Sequence, residues 1–354
     1  MGLCKMKLHD AIIEMYGRMH GDWLGQDIVF SRRLPEHDQE GIFLYITKGR
    51  IPRQKLPHGL PVNNVSPLPP ASRRAKTSDE CRMCFSGKGI VYRDNVVITP
   101  DVIPFLGYHS LIRPLRQGLD FNAGLDGFND FGNYKTGFVT KDMLDCRKLP
   151  IASDIDSCVE LASETGFSLL LGIKGTGGGV PEHVHFQAYV ITGEGALELP
   201  LIRKKNFREL VKTKTMEVLV MDEPSFGFAL LGDKSQYAAI VTKLYNQFKS
   251  YRNHDNVGLP FNLLLTRDSD LSDNVVAVYF PRTMEAPTSE VFVYEDNTWR
   301  FGFGEIMGSL PARSMEQFEN LTPQDVYWAL KETTIGRGEL KQEMKDSLIR
   351  IVQG

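Results

Sequence analysis

The chain has 354 residues, 42% of them hydrophobic and 24% charged, with a formal net charge of −3. That length holds two ordinary domains, or one long sheet with covering helices, and the composition is that of a soluble globular protein. A charge this close to balance excludes a general pull toward nucleic acid or anionic membrane, and no apolar run of the sequence reaches membrane-spanning length.

The first residues, MGLCKMKLHD, lack the apolar stretch of a signal peptide. The five cysteines (Cys4, Cys81, Cys84, Cys146 and Cys158) are odd in number and scattered apart from one pair. A cytoplasmic protein without a disulfide scaffold is expected. Leu8 to Met19 reads as a helix and GIFLYIT, ending at Thr47, as a strand. Residues 52–80 are rich in Pro, Ser and basic side chains with no sustained period, so residues 1–80 are expected to form an arm and linker. Arg73, Arg74 and Lys76 have no aromatic interleaving and read as a solvated loop.

From Cys81 the pattern becomes ordered. Ile90 to Thr99 and Tyr108 to Pro114 are apolar runs separated by proline-containing turns, a hairpin-type sheet element. Gln117 to Lys135 is a loop rich in Gly and Asn. Ser153 to Thr165 has a capping Ser or Asp before apolar positions at helical spacing, and Gly166 stops it. FSLLLGI, GTGGGVPE and HVHFQAYVI then read as strand, loop and strand. In the second half MEVLVMD is strand-like, a helix runs from about Gln236 to Lys249, FNLLLT and NVVAVYFPR are buried strands, and EVFVYEDNTWRFGFGE is a hairpin. Thr322 before PQDVYWALKE makes a helix start, with Pro323 in the first turn and Asp325 at its third position. Strands and helices mixed without a βαβ rhythm give an α+β fold.

The sharpest chemical signal is PEHVHFQAYVI, Pro181 to Ile191, directly behind GTGGG, Gly175 to Gly179. On a strand, His183, His185 and Gln187 share one face, while Val184, Phe186 and Ala188 share the other. A loop with four glycines lets the backbone approach a ligand, and its N–H groups can cradle a phosphate. A neutral imidazole beside that phosphate can attack phosphorus and split one displacement into two. Gln187 cannot titrate and can only donate and accept hydrogen bonds. Cys81-Arg-Met-Cys84 reads as a redox pair, as two buried thiols or as two ligands of a tetrahedral zinc.

H-V-H-F-Q after a glycine-rich turn resembles the H-x-H-x-Q signature of the histidine-triad superfamily, in the branch of galactose-1-phosphate uridylyltransferase and the dinucleoside tetraphosphate phosphorylases. Asp101 to His109, DVIPFLGYH, is similar to that family's D-h-x-P-x-x-x-x-H segment, where h is apolar. The resemblance implies two tandem histidine-triad-like units, residues 81–200 and 201–354, with mainly antiparallel sheets and covering helices. It makes His185 the nucleophile that takes up a nucleoside monophosphate and Gln187 the group that binds its phosphoryl oxygens. Gly177, Gly178 and Gly179 would supply backbone donors, and Asp101 would hold a ribose. Lys174 stands where the family has Asn, and Val180 where transferases have Ser. Arg282 is the candidate for an acceptor-phosphate contact, with Arg113 and Arg116 as weaker ones.

For Cys81 and Cys84 the resemblance favours a structural zinc completed by His183 and by a histidine where this chain has Gln117. His109, in the same element, is the candidate fourth ligand. The expected activity is nucleotidyl transfer from a nucleoside diphosphate sugar or dinucleoside polyphosphate to phosphate or a sugar phosphate, with no nucleic acid or membrane partner and with homodimerisation, common in the family, left open. A histidine-triad-type nucleotide hydrolase and a non-catalytic nucleotide-binding protein are the alternatives.

Overall fold

A computed structural model of the protein describes residues 7–20, 28–36, 39–47, 87–100, 109–117, 135–145, 147, 149–173, 176, 184–189, 199–251, 259–267, 270–283, 286–294, 297–336 and 338–354. The N-terminal part contains helix α1 (Leu8–His20) and the hairpin β1 (Ile28–Glu36) and β2 (Gln39–Thr47). Next come β3 (Gly87–Tyr92), β4 (Val96–Pro100), β5 (Ser110–Pro114), β6 (Lys135–Val139), α2 (Ala152–Thr165), β7 (Ser168–Gly172) and β8 (His185–Tyr189). The second half supplies β9 (Arg208–Lys212), β10 (Met216–Met221), β11 (Gly227–Gly232), α3 (Tyr237–Phe248), β12 (Phe261–Thr266) and β13 (Val276–Pro281). The C-terminal part holds the short pair β14 (Val293–Tyr294) and β15 (Asn297–Thr298), α4 (Phe303–Ile306), β16 (Ser309–Pro311), α5 (Met315–Asn320), α6 (Pro323–Thr333) and α7 (Gly338–Gln353).

Among the described residues one sheet of eleven strands runs through the molecule in the order β6-β3-β4-β5-β8-β7-β12-β13-β11-β10-β9, every pairing antiparallel. The succession of three strands, a helix and two strands occurs twice in it, with β6 inserted before the helix in the first occurrence. In the first occurrence β3, β4, β5, α2, β7 and β8 lie in the order 3-4-5-8-7. In the second, β9, β10, β11, α3, β12 and β13 lie in the matching order 9-10-11-13-12. The two copies meet edge to edge where Asn262 to Leu265 of β12 pair with Leu169 to Gly172 of β7. The fold is α+β with mixed, mainly antiparallel sheets, β16 pairing parallel with β2.

Both faces of this sheet are covered, so its central strands read as unbroken apolar runs; all six residues of β12 and of β13 are buried. Leu263 and Leu265 face one core with α1, α2, α3 and α7, whereas Leu264, Val276 and Val278 face a second core with the β1-β2-β16 sheet, α4 and α6. The expected helix and strand of the N-terminal stretch are present as α1 and β2, and they belong to these cores: Leu8, Ala11 and Ile12 to the first, Ile42 and Leu44 to the second.

Helix boundaries follow side-chain chemistry. Thr322 accepts from the Asp325 N–H, and the Asp325 carboxylate accepts the Thr322 N–H at 3.0 Å, the reciprocal cap expected for α6. Gly166 ends α2 with φ of 76°, a conformation that suits a residue without Cβ. The start of α2 corrects the expected Ser or Asp cap: Ile151 holds the cap position, and Asp154 reaches back to its N–H at 2.9 Å.

Asp154 also ties α2 to the start of β8. Arg147 grips its two oxygens at 2.6 and 2.7 Å, Asn95 donates to it at 3.3 Å, and the Arg147 carbonyl accepts the Val184 N–H at 2.8 Å. Burial pushes the Asp154 carboxyl above its ordinary range even though the Ile151 N–H and Arg147 favour the charged form. Its ionisation therefore adds no stability of its own, and the pair acts by fixing geometry. Asp154→Ala, which leaves Arg147 without its bidentate partner, is expected to lower stability by about 2 kcal/mol in chemical denaturation.

A second polar cluster fastens α6 and α7. Asp222 takes Lys345 at 2.5 Å and Arg208 at 2.7 Å, its backbone carbonyl takes Lys341 at 2.8 Å, and Glu223 takes Lys331 at 2.8 Å. Lys331 and Tyr327 hold the Glu223 carboxyl below the usual carboxylate range. Partial burial pushes Asp222 up, but Lys345 and Arg208 outweigh it and leave that carboxyl low as well. Carboxyl pKa values depressed in the folded state contribute stability above the unfolded values of about 4 and lose it as pH falls through the folded ones. Protection factors of α7 amides, with intrinsic exchange at each pH divided out, are expected to fall below about pH 4, ahead of those in β12.

Candidate active site

His185, Gln187 and Tyr189 alternate along β8 and so project from one face of the sheet. It is the face of the second core, to which Tyr189 and Leu170 belong, while Phe186, Ala188 and Leu171 fill the first. The neighbouring strands set what stands beside them: β7 places Gly172 opposite His185 and Leu170 opposite Gln187, and β5 places Leu111 opposite Gln187 on the other side. His185 is buried, Gln187 is half-buried and Tyr189 is buried.

The polar tips on this face form a chain. Gln187 Nε2 lies 3.3 Å from His185 Nε2, and the Tyr189 hydroxyl donates to Gln187 Oε1. Ser110 pairs with Ala188, so His109 stands beside Tyr189 across the two strands, and their rings stack at 4.5 Å with 14° between planes. Phe303 of α4 tilts onto the Tyr189 ring from 5.8 Å. Alternation along β5 puts Arg113 on the face of His109 and Leu111; it is wholly buried and donates to Thr99 Oγ1 at 3.3 Å. Of Arg113 and Arg116, Arg113 is the one this alternation puts on the His185 face.

Gly172, opposite His185, makes room for the loop that follows it. Thr176 folds back over β7, its N–H and its hydroxyl both donating to the Ile173 carbonyl, at 3.1 and 2.6 Å. A Cβ on Gly172 would stand 3.3 Å from Thr176 Oγ1 and 3.7 Å from Asn262 Nδ2, a crowded position in which glycine fits without adjustment.

Arg282 differs from expectation. Its side chain is wholly buried, with Nε donating to the Thr333 carbonyl at 2.9 Å and Nη2 to the Phe301 carbonyl at 2.8 Å. Nη1 donates to Asn262 Oδ1 at 2.8 Å and to the Thr176 carbonyl at 3.4 Å. A guanidinium held by these acceptors acts as a strut between Thr176, β12 and the C-terminal segment.

His109, the expected fourth zinc ligand, has its ring stacked on Tyr189. His109 stands opposite Tyr189, five residues along β8 from Val184, a run of about 17 Å. Near the Val184 end of the strand, an open cleft of about 510 Å³ is lined by Arg116, Gln117, Asp145, Arg147 and Ile151. Among the described lining residues the one carboxylate, Asp145, is held by Arg147 at 2.6 Å. Among the described residues no group of three His, Cys, Asp or Glu side chains is placed to hold a metal. Cys81, Cys84, Asp101, Lys174, Gly177, Gly178, Gly179 and His183 lie outside the described residues.

Tyr189, Thr176 and Asn262 did not stand out in the sequence. The alternation that singles out His185 and Gln187 reaches Tyr189 two residues later and was the available signal; Thr176 and Asn262 are joined by tertiary contacts that no local pattern encodes.

No family model matches the chain, and no curated protein matches it in sequence. Solved structures do match in fold. Yeast Ap4A phosphorylase Apa2 superposes with a TM-score of 0.54 at 13% identity, over 94% of this chain and 99% of that one. The same enzyme in complex with Ap4A gives 0.53 at 14% identity over 93% and 97%, and in complex with AMP 0.51 at 14% over 92% and 94%. Among the described residues no helix is long and apolar enough to cross a membrane. The resemblance carried by H-x-H-x-Q and the superposition agree, and the protein has the fold of yeast Ap4A phosphorylase Apa2.

Proposed function

We propose that the protein is a nucleotidyltransferase that cleaves dinucleoside polyphosphates, or nucleoside diphosphate sugars, by transfer to phosphate or a sugar phosphate through a nucleotidyl-His185 intermediate. The observation that carries this reading is the pair His185 and Gln187 on one strand face, imidazole nitrogen and amide nitrogen 3.3 Å apart, in a fold shared with an enzyme solved with Ap4A. His185 Nε2 attacks the α-phosphorus, the bond from phosphorus to the leaving polyphosphate or sugar phosphate breaks, and Gln187 donates to a nonbridging oxygen as charge builds there. An acceptor phosphate then attacks from the opposite side of phosphorus and frees the imidazole.

Lys174 and the backbone of Gly177 to Gly179 would meet the phosphates, and Asp101 the ribose. Arg113, whose position on β5 puts its charge on the same face, is the candidate for balancing the phosphoryl group. Two displacements give ping-pong kinetics and retention of configuration at phosphorus. Intact-protein mass spectrometry after brief incubation with dinucleoside polyphosphates and nucleoside diphosphate sugars tests the reading. A gain of one nucleoside monophosphate on the wild type and none on His185→Ala supports it; no adduct, with every donor intact after hours, removes it.

A further inference from the structure

A carboxamide has two ends of equal size and opposite hydrogen-bonding character, so packing alone does not choose which end of Gln187 faces His185. Tyr189 supplies the choice. Its phenolic O–H is a stronger donor than acceptor, and the amide oxygen is the only acceptor that Gln187 offers. With the Tyr189 hydroxyl on Oε1, Nε2 is left pointing at His185 Nε2. An amide nitrogen only donates, so the imidazole nitrogen facing it must accept, and the ring proton then sits on Nδ1.

We propose that Tyr189 is a positioning residue that fixes the orientation of the Gln187 amide and, through it, holds His185 in the tautomer with an unprotonated Nε2. The hydrogen-bond geometry carries the tautomer; its catalytic consequence rests on the nucleotidyl-transfer reading above. With the amide reversed, its oxygen would draw the ring proton onto Nε2 and block the attacking lone pair. The same reversal would turn oxygen lone pairs, in place of N–H groups, toward the phosphoryl oxygens.

The hydroxyl can set this orientation because the ring that carries it is itself fixed. Tyr189 is 2% exposed, stacked on His109 from the adjacent strand and closed over by Phe303. His109 thereby serves the site as the surface against which Tyr189 is held.

Tyr189→Phe removes the hydroxyl and keeps the ring, so the stack and the fold are retained. In protein labelled with 15N-histidine, long-range proton–nitrogen correlation reads the His185 tautomer directly, the His185 signals being those absent from His185→Gln. The wild type is expected to carry its proton on Nδ1, and Tyr189→Phe to show a shift toward Nε2. In phosphorolysis of a dinucleoside polyphosphate, Tyr189→Phe should lower kcat about tenfold with KM little changed. The same substitution made in Gln187→Ala should cost nothing further, because the hydroxyl acts through the amide. An unchanged tautomer in Tyr189→Phe, or losses that add in the double variant, overturns the proposal. If the wild type turns over no donor, the transferase reading fails, while the spectra still decide the role of Tyr189.

Discussion

His185→Ala is expected to abolish nucleotidyl transfer, with kcat falling by about 10⁴-fold or more, while the protein stays folded. In the proposed mechanism the imidazole does the bond making in both half-reactions, so its loss leaves only binding and oxyanion stabilisation. Gln187→Ala should cost less, about 10²-fold, the effect of one donor to a developing charge. The fold should tolerate the change at 185, because Gly172 on β7 stands opposite that position and no side chain of β7 depends on the imidazole there. His185→Gly distinguishes a missing nucleophile from a damaged site. The cavity it opens can admit free imidazole, and added imidazole is expected to restore measurable turnover and to yield a nucleotidyl-imidazole in solution. Turnover in His185→Ala within tenfold of the wild type would rule out the covalent route.

What could be read from the sequence depended on whether the governing contacts were local. The α6 start was visible because Thr322, Pro323 and Asp325 satisfy each other within one turn. The β8 face was visible because a strand has a period of two, which puts His185 and Gln187 together whatever the strand later pairs with. The start of α2 departs from the expected cap because Asp154 caps from the third position and its partners, Arg147 and Asn95, come from outside the helix. The pairing of β7 with β12 had no local signature, although it joins the two copies of the topology and places Asn262 beside Gly172. In β13, which holds in the second copy the place of β8, Val276, Val278 and Phe280 face the second core where β8 carries His185, Gln187 and Tyr189. The apolar run NVVAVYFP showed a buried strand; its place in a second copy without the imidazole became visible only in the sheet order.

Arg282→Ala is expected to be the most damaging substitution away from β8, lowering stability by about 4 kcal/mol. As a lone surface cation it would matter little, but it is wholly buried and serves the Thr333, Phe301 and Thr176 carbonyls together with Asn262 Oδ1. Truncation strands three acceptors in the interior, the Thr333 carbonyl keeping the Thr283 N–H at 3.2 Å, each at about 1 to 3 kcal/mol, and water entering the vacated volume recovers part of the loss. Arg282→Lys should recover only part as well, because one ammonium on a flexible stem cannot span acceptors arranged around a planar fork. The damage should also reach the site. Thr176 lies at the base of the glycine-rich loop, and Asn262, which Arg282 orients, donates to the Leu171 carbonyl beside Gly172 at 3.3 Å. Loosening that base should raise the KM for the nucleotide donor more than it lowers kcat, since binding to the loop is disturbed and the chemistry on β8 is not. Denaturant titration of the wild type and both variants, with kinetics at a temperature where all three remain folded, checks the two effects separately. A midpoint in Arg282→Ala equal to that of the wild type would show that the strut carries no load, whereas reduced stability with an unchanged KM would confine its role to holding the two halves of the sheet together.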